Sequence, residues 1–496
     1  MRILVLFLLV SAAAAQEATV SILHWNDFHS QNVPFQVRSR NRATNSDTAY
    51  FVGGAATLAS YLAKYDRGDS ATLTLHAGDE FQGTPVSSIT KGASQVRLLN
   101  MLRPDAFSLG NHDFDYGRTN LASQLKTALY PALSANLIDQ KSGTPFAGDY
   151  IIRRVGGANV AVIGLMTTEL YSLSLPKNIE GLTVKDLAAT VKGLVPVLKA
   201  KGADLIIALT HQGVQEDSLL AVLCPDLDVI VGGHSHTPLF RPKYVNGILI
   251  AQAGSRGRWL GKIELTVDTA KDTVLRAASE LIECRTADVT PDAAVAAVVD
   301  ELEKEADSGL NVRVAELKSD WKRTGGESNI GNWICDAMRA YAKSDIAIQN
   351  TGGIRKDVLA GPLTVRDFWE ISPFGNTLVT FSVTGAELRS MLQHQVSVSD
   401  DFCQLSGLTV VYANRNGVRT LHNVTVGRQT LDDRRTYTIV TNNYVAAQAK
   451  KYFGLELPES RLTALNVTDR DVLIEAARQQ KVIDTKLENR IKETEE

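Results

Sequence analysis

The sequence predicts an α/β protein of two domains, on three observations. Over the first 290 residues, short apolar runs rich in β-branched residues alternate with amphipathic stretches of helical length. Near residue 300 comes a segment without Gly or Pro and rich in Ala and Glu, DAAVAAVVDELEKEA (Asp292–Ala306), which reads as a connecting helix. Beyond it helices and short strands mix without strict alternation, the pattern of an α+β domain.

Taken in order, Met1–Ala15 (MRILVLFLLVSAAAA) puts one positive charge before a short apolar run, with small residues at Ala13 and Ala15 ahead of Gln16. That is the pattern of a secretory signal, too short in its apolar part to span a bilayer. Thr19–Trp25 reads as a strand running into Asn26, Asp27, Phe28 and His29, and Gly54–Tyr65 as a helix. Ala71–His76 is a strand leading to Gly78 and Asp79, and Asp105–Leu109 one leading to Gly110, Asn111, His112 and Asp113. A helix is expected over Asp186–Ala200, then strands Leu205–Thr210, ending at His211, and Val229–Val231, ending at Gly232-Gly-His-Ser-His236. This first domain spans residues 16–290 and the connector 291–311. The second domain covers 312–491, with a helix over Ser328–Ala342 and strands at Asp345–Gln349, Leu378–Thr384 and Thr436–Thr441.

Composition narrows the function. The 52 Lys and Arg against 55 Asp and Glu leave a formal charge of −3, without the basic excess of a general nucleic-acid binder. Four cysteines in 496 residues are too few for a disulfide scaffold, although an oxidising compartment permits one or two bridges among Cys224, Cys284, Cys335 and Cys403. The charged ending KLENRIKETEE offers no hydrophobic tail for a lipid anchor, so a released or periplasmic protein is expected. Asn423-Val-Thr and Asn466-Val-Thr are glycosylation sequons in a eukaryotic setting. Oligomeric state is not legible.

The chemistry lies at the strand ends. Asp27 and His29, Asp79, Asn111 and His112, His211, and His234 with His236 are all divalent-metal ligand types, each placed directly after a predicted strand. In open α/β sheets, sites form beyond the carboxyl ends of the strands, so these groups are expected to meet at one rim of a single sheet. Mixed oxygen and nitrogen donors suit zinc, manganese, cobalt or iron better than calcium. A carboxylate such as Asp79 can bridge two cations. Singly each fragment is weak, but five in succession are not a coincidence of packing. His24 and His76 fall inside strands and read as core or supporting groups, and His394 and His422 have no company of ligand type.

The motifs WNDFHS (Trp25–Ser30), GDEFQG (Gly78–Gly83), GNHDFDYG (Gly110–Gly117), LTHQG (Leu209–Gly213) and GGHSHT (Gly232–Thr237) resemble those of the secreted 5′-nucleotidase and UDP-sugar hydrolase family. ESNIGNWICDAM (Glu327–Met338), NTGGIR (Asn350–Arg355), SPFGN (Ser372–Asn376) and TNNY (Thr441–Tyr444) resemble its nucleotide-binding domain, in the same order. The resemblance implies a four-layer α/β/β/α metallophosphatase sandwich followed by a smaller α+β nucleotide-binding domain. It implies two divalent metals, with Zn, Mn or Co expected. One would be held by Asp27, His29, Asp79 and His236, the other by Asp79, Asn111, His211 and His234. His112 would face the phosphoryl group, with Asp115 orienting its ring. Asn350, Arg355, Phe374 and Tyr444 would contact a nucleotide, the two aromatics on either side of the base. Two departures stand out: the segment after Tyr444 reads VAAQAKKYF, with Lys450 and Lys451 in place of the family's ribose-binding Asp, and a family Arg ahead of ESN falls near Gly326, with Arg323 close by. The expected activity is hydrolysis of nucleoside 5′-monophosphates. UDP-sugars, nucleoside diphosphates or 2′,3′-cyclic nucleotides are the alternatives within the class, and a non-catalytic nucleotide-binding protein is the alternative outside it.

Overall fold

The computed structural model describes residues 17–41, 46–68, 70–307, 309–398 and 402–494. The predicted signal segment lies outside them. The chain forms two units, one of residues up to Glu80, Gln95–Leu170 and Ile179–Val299, the other of Phe81–Ser94, Tyr171–Asn178 and residues from Asp300 on. Two short segments within 16–290 thus group with the later part of the chain.

The first unit holds two six-stranded sheets rather than one. In the first sheet, Glu17–Trp25, Thr72–His76, Ala106–Ser108 and Ala132–Leu133 run parallel, and Trp259–Asp268 and Thr273–Glu283 extend it antiparallel beyond Glu17–Trp25. In the second, Ala158–Met166, Leu205–His211, Val229–Gly232 and Ile248–Gln252 are parallel, flanked by antiparallel Tyr150–Val155 and Lys243–Val245. Alternation along the pleat explains how the sheets pack. Val20, Ile22, Leu73 and Leu75 of the first share one buried cluster with Val160, Val162, Ile207, Leu209 and Val231 of the second. The intervening residues Ala161, Ile163, Ile206, Ala208 and Ile230 point the other way. They meet Leu187, Val191, Val195 and Leu198 of helix Leu187–Ala200, and Leu220 and Ala221 of helix Val214–Leu223. Helix Ala55–Tyr65 lies against the Trp259–Asp268 strand of the first sheet. Strands covered on both faces must be apolar throughout, so these runs read as continuous rather than alternating.

Local chemistry sets the element ends. Asp186 caps its helix by accepting the Ala189 N–H at 2.7 Å. Ser328 does the same for helix Asn329–Ala342 through Gly331, 3.0 Å away. The second unit is built on a five-stranded sheet in the order Gln404–Ser406, Ile346–Gln349, Thr436–Asn442, Thr377–Thr384 and Thr463–Thr468, with three- and four-stranded sheets beside it. All four cysteines are buried free thiols, so no disulfide forms among them. No helix among the described residues is long and apolar enough to cross a membrane.

Candidate metal centre

Register brings the candidate ligands to common levels. Trp25 pairs with His76 and His76 with Phe107, so the loops carrying Asp27, Asp79 and Asn111 leave adjacent parallel strands side by side. Leu209 pairs with Val231, which levels His211 with the Gly233–His236 turn of the other sheet. The expectation of one rim of one sheet is corrected here: the rim is shared by two sheets stacked through a common core.

Asp27, His29, Asp79 and His236 offer ligand atoms all within 4.8 Å of one another, as do Asp79, His211 and His234, and Asp79 belongs to both groups. His29 Nε2 lies 3.0 Å from His236 Nε2 and 3.9 Å from Asp79 Oδ2. His236 Nε2 is 3.3 Å from Asp27 Oδ1, and His211 Nε2 is 3.1 Å from Asp79 Oδ2. Asp27, Asp79, Asn111 and His211 are buried. Two fully buried polar atoms, Asn111 Oδ1 and His211 Nε2, make no hydrogen bond of acceptable geometry. His211 donates its other nitrogen, Nδ1, to the Ala77 carbonyl at 2.7 Å, which points the Nε2 lone pair into the cluster as a metal ligand requires. The donor set therefore fits a pair of divalent cations. Burial alone would raise the Asp27 and Asp79 carboxyls, yet His236 and His211 for Asp27, and His211 and His112 for Asp79, hold both below the usual carboxylate range. Burial lowers the His211 ring, but the facing Asp79 and Asp27 carboxylates outweigh it and lift it to about 10, so a cation taking Nε2 would displace the proton held there.

The backbone at the cluster is constrained. Asp27, His29, Asp79, His234 and His236, five of the seven candidate ligands, adopt positive φ, between 49° and 81°. Non-glycine residues seldom sit there unless the surroundings enforce it, and such conformations concentrate at functional sites. The enforcing groups are polar residues that the sequence reading did not single out. Asp113 accepts the backbone N–H groups of Asp79, Glu80 and Gly110 at 3.3, 2.9 and 2.8 Å, binding two ligand loops together. Asn26 accepts Ala253 N–H and donates to Gly254 carbonyl and to Asp27 Oδ2. Gln252 grips the His-rich turn, donating to Gly233 carbonyl and accepting from Thr237 N–H and Ser235 Oγ. Asp217 accepts from Thr210 and Gln212 on either side of His211. A Cβ on Gly110 would stand 2.2 Å from Asp79 Oδ1, which explains the glycine before Asn111. Asp113 lies inside the GNHD motif and Asn26 inside WNDFHS; Gln252 and Asp217 carry no local signal.

His112 sits beside the cluster, its ring 5.5 Å from that of His29 and its backbone N–H on Asp79 Oδ1 at 2.8 Å. Its Nδ1 is 3.0 Å from Asp115 Oδ2. His24 and His76 are buried within their strands, and His76 Nε2 bonds Glu80 Oε2 at 2.8 Å. Burial lowers the His76 ring to about 3 and raises the Glu80 carboxyl well above its ordinary value.

In the second unit, Asn350 is buried and accepts from Asn442 Nδ2 at 3.1 Å. The Arg355 guanidinium lies 5.9 Å from the centroid of the half-buried Phe374 ring. Tyr444 is half-buried, and its hydroxyl donates to the Ser172 carbonyl at 2.9 Å. Lys450 is exposed and paired with Glu456.

Comparison with known proteins identifies both parts of the chain. Residues 20–238 match the calcineurin-like phosphoesterases and residues 310–455 the 5′-nucleotidase C-terminal domain. The chain is 29% identical to endonuclease YhcR of Bacillus subtilis over 89% of its own length, and spans 38% of that protein. It is 29% identical to a 5′-nucleotidase of Diplobatis ommata, covering 97% of this chain and 91% of that one. The crystal structure of a 5′-nucleotidase precursor from Thermus thermophilus superposes with a TM-score of 0.87 at 29% identity, over 96% of this chain and 100% of the other. A Thermus thermophilus sulfate thiohydrolase, at 19% identity and a TM-score of 0.83, shares the fold.

Proposed function

Because the chain belongs to the calcineurin-like phosphoesterases that carry a 5′-nucleotidase C-terminal domain, and is a metal-dependent phosphoester hydrolase, we propose that it hydrolyses nucleoside 5′-monophosphates to nucleoside and phosphate. The observation that carries this reading is the pair of overlapping ligand groups joined through Asp79, with buried Asn111 Oδ1 and His211 Nε2 lacking hydrogen bonds beside the His112–Asp115 pair.

Asp27, His29, Asp79 and His236 would hold one cation, and Asp79, Asn111, His211 and His234 the other. Bound there, two divalent ions supply Lewis acidity toward the phosphoryl oxygens and a lowered pKa for water. His112 is the group of this chain that addresses the developing charge. Asp115 accepts from Nδ1–H and so orients the ring; in its imidazolium form His112 would donate Nε2–H to a phosphoryl oxygen as negative charge accumulates. A protein that only bound nucleotides would have no use for such a donor. Arg355 supplies a planar fork for an anionic oxygen, and Phe374 and Tyr444 supply π-faces for the base. The signal-like residues 1–15 support release to a secreted or periplasmic location.

The test is phosphate release from AMP, UDP-glucose and 2′,3′-cyclic AMP by metal-loaded protein, with and without chelator. Chelator-sensitive turnover of AMP above the other two is expected. Binding of nucleotides without turnover of any of them would overturn the proposal.

A further inference from the structure

The loop Ser372–Asn376 carries Phe374, and its two ends are held from one place, the start of helix Asp469–Gln480. Ser372 Oγ donates to Asp469 Oδ2 at 2.8 Å, and Arg470 Nη1 donates to the Ser372 carbonyl at 3.3 Å. At the other end, the Asp469 N–H donates to the Asn376 carbonyl at 2.9 Å. Thr468 Oγ1 caps the helix by accepting the Asp471 N–H, while Asp469 gives Oδ1 to the Arg470 N–H at 2.7 Å and keeps Oδ2 for Ser372. Asp469 is nonetheless buried, with only 2% of its surface exposed, and burial pushes its carboxyl up to about 6 against the opposing pull of Ser372 and Arg470. This buried carboxylate therefore ties the helix start to the loop, one oxygen on each.

Arg470 extends the same brace. Its guanidinium lies 3.4 Å from the ring centroid of Trp369 in helix Val365–Ile371, a cation–π stack that fixes the side chain under the loop. That helix also anchors the neighbouring Arg355. The Ile371 carbonyl accepts the Arg355 N–H at 2.8 Å, and Lys356 Nζ bridges Asp367 and Glu370 at 2.9 and 2.6 Å. Arg355 and Phe374, whose side chains meet at 5.9 Å, are thus referred to one frame of two helices tied through Arg470.

We propose that Asp469 and Arg470 are positioning residues that hold the Phe374 ring as a rigid platform for the base of a nucleotide. This rests on the reading of Phe374 as a base-stacking face given above. A brace of this kind acts on binding of the base and not on the phosphoryl chemistry. The comparison that isolates it uses AMP against ribose 5-phosphate, which offers the same ester without a base.

Full-length metal-loaded Asp469→Ala is expected to raise KM for AMP about tenfold with kcat within about twofold, and to leave kcat/KM for ribose 5-phosphate unchanged. Ser372→Ala removes the same hydrogen bond without touching the helix and serves if Asp469→Ala does not fold; the same split is expected. Asp469→Asn keeps an acceptor for Ser372 and should restore the wild-type KM. Parallel losses on both substrates, or an unchanged KM for AMP in folded Ser372→Ala, would overturn the proposal. If the wild-type protein turns over ribose 5-phosphate as efficiently as AMP, the base-stacking reading itself fails, and this inference with it, whatever the variants do.

Discussion

His112 and Gly110 separate two ways in which a single residue can matter to the site. His112 touches the cluster through its backbone N–H on Asp79 and its ring beside His29, while its side-chain bond goes to Asp115. His112→Ala is therefore expected to retain full metal content, measured by atomic emission, while kcat falls by about 10²-fold or more. Loss of metal in that variant would make His112 a ligand. Gly110 contributes only the absence of a side chain. Gly110→Ala places a methyl 2.4 Å from the Asp79 backbone nitrogen and 2.2 Å from its carboxylate, so Asp79 must move and both metal content and turnover should drop together. At this scale the sequence was informative about donors, because ligand-type residues followed directly on apolar runs. It was silent about Gln252, which grips the Gly233–Thr237 turn by hydrogen bonds to residues more than ten positions away.

Among the elements, the loops at the strand ends and the strand starts make different demands. Asp113→Ala strips three backbone N–H groups of their buried acceptor and is expected to destabilise the fold by about 2–5 kcal/mol, seen as a lowered denaturation midpoint. At the opposite end of the second sheet, Asp228 accepts the Ile206 N–H at 2.8 Å where strand Leu205–His211 begins. Burial raises its carboxyl from 3.8 to about 6 in the folded state. The folded protein thus binds the proton more tightly than the unfolded chain, and this group's contribution to stability is lost as pH rises from about 4 to about 6. Asp228→Asn keeps the acceptor without the charge. Its melting temperature should rise relative to wild type over that interval, and a constant difference would contradict the shift. Strand and helix positions themselves were legible, since the predicted Thr19–Trp25, Leu205–Thr210 and Ser328–Ala342 fall within two residues of Glu17–Trp25, Leu205–His211 and Asn329–Ala342. Apolar runs and capping residues are local signals.

For the whole molecule the limit of the sequence is pairing. Nothing local tells strand Glu17–Trp25 to pair with Trp259–Asp268, more than 200 positions on, or tells the two sheets to face each other through Ile22 and Ile207. Both pairings depend on closing long loops, and the apolar alternation is the same for either sheet. Metal binding should be felt at this scale, because the candidate ligands come from both sheets. Chelator is expected to lower the melting temperature, and excess Zn or Mn to restore it, with the shift growing with metal concentration. A melting curve indifferent to chelator would mean that the ligand cluster binds no cation. Segments 81–94 and 171–178 interrupt the first unit yet belong with the last two-fifths of the polypeptide, where Ser88 meets the Pro373 carbonyl and Ser172 accepts from Tyr444. Gene fission near residue 299 would orphan both segments, so chimeras shuffled between relatives need them to travel with the carboxyl-terminal half.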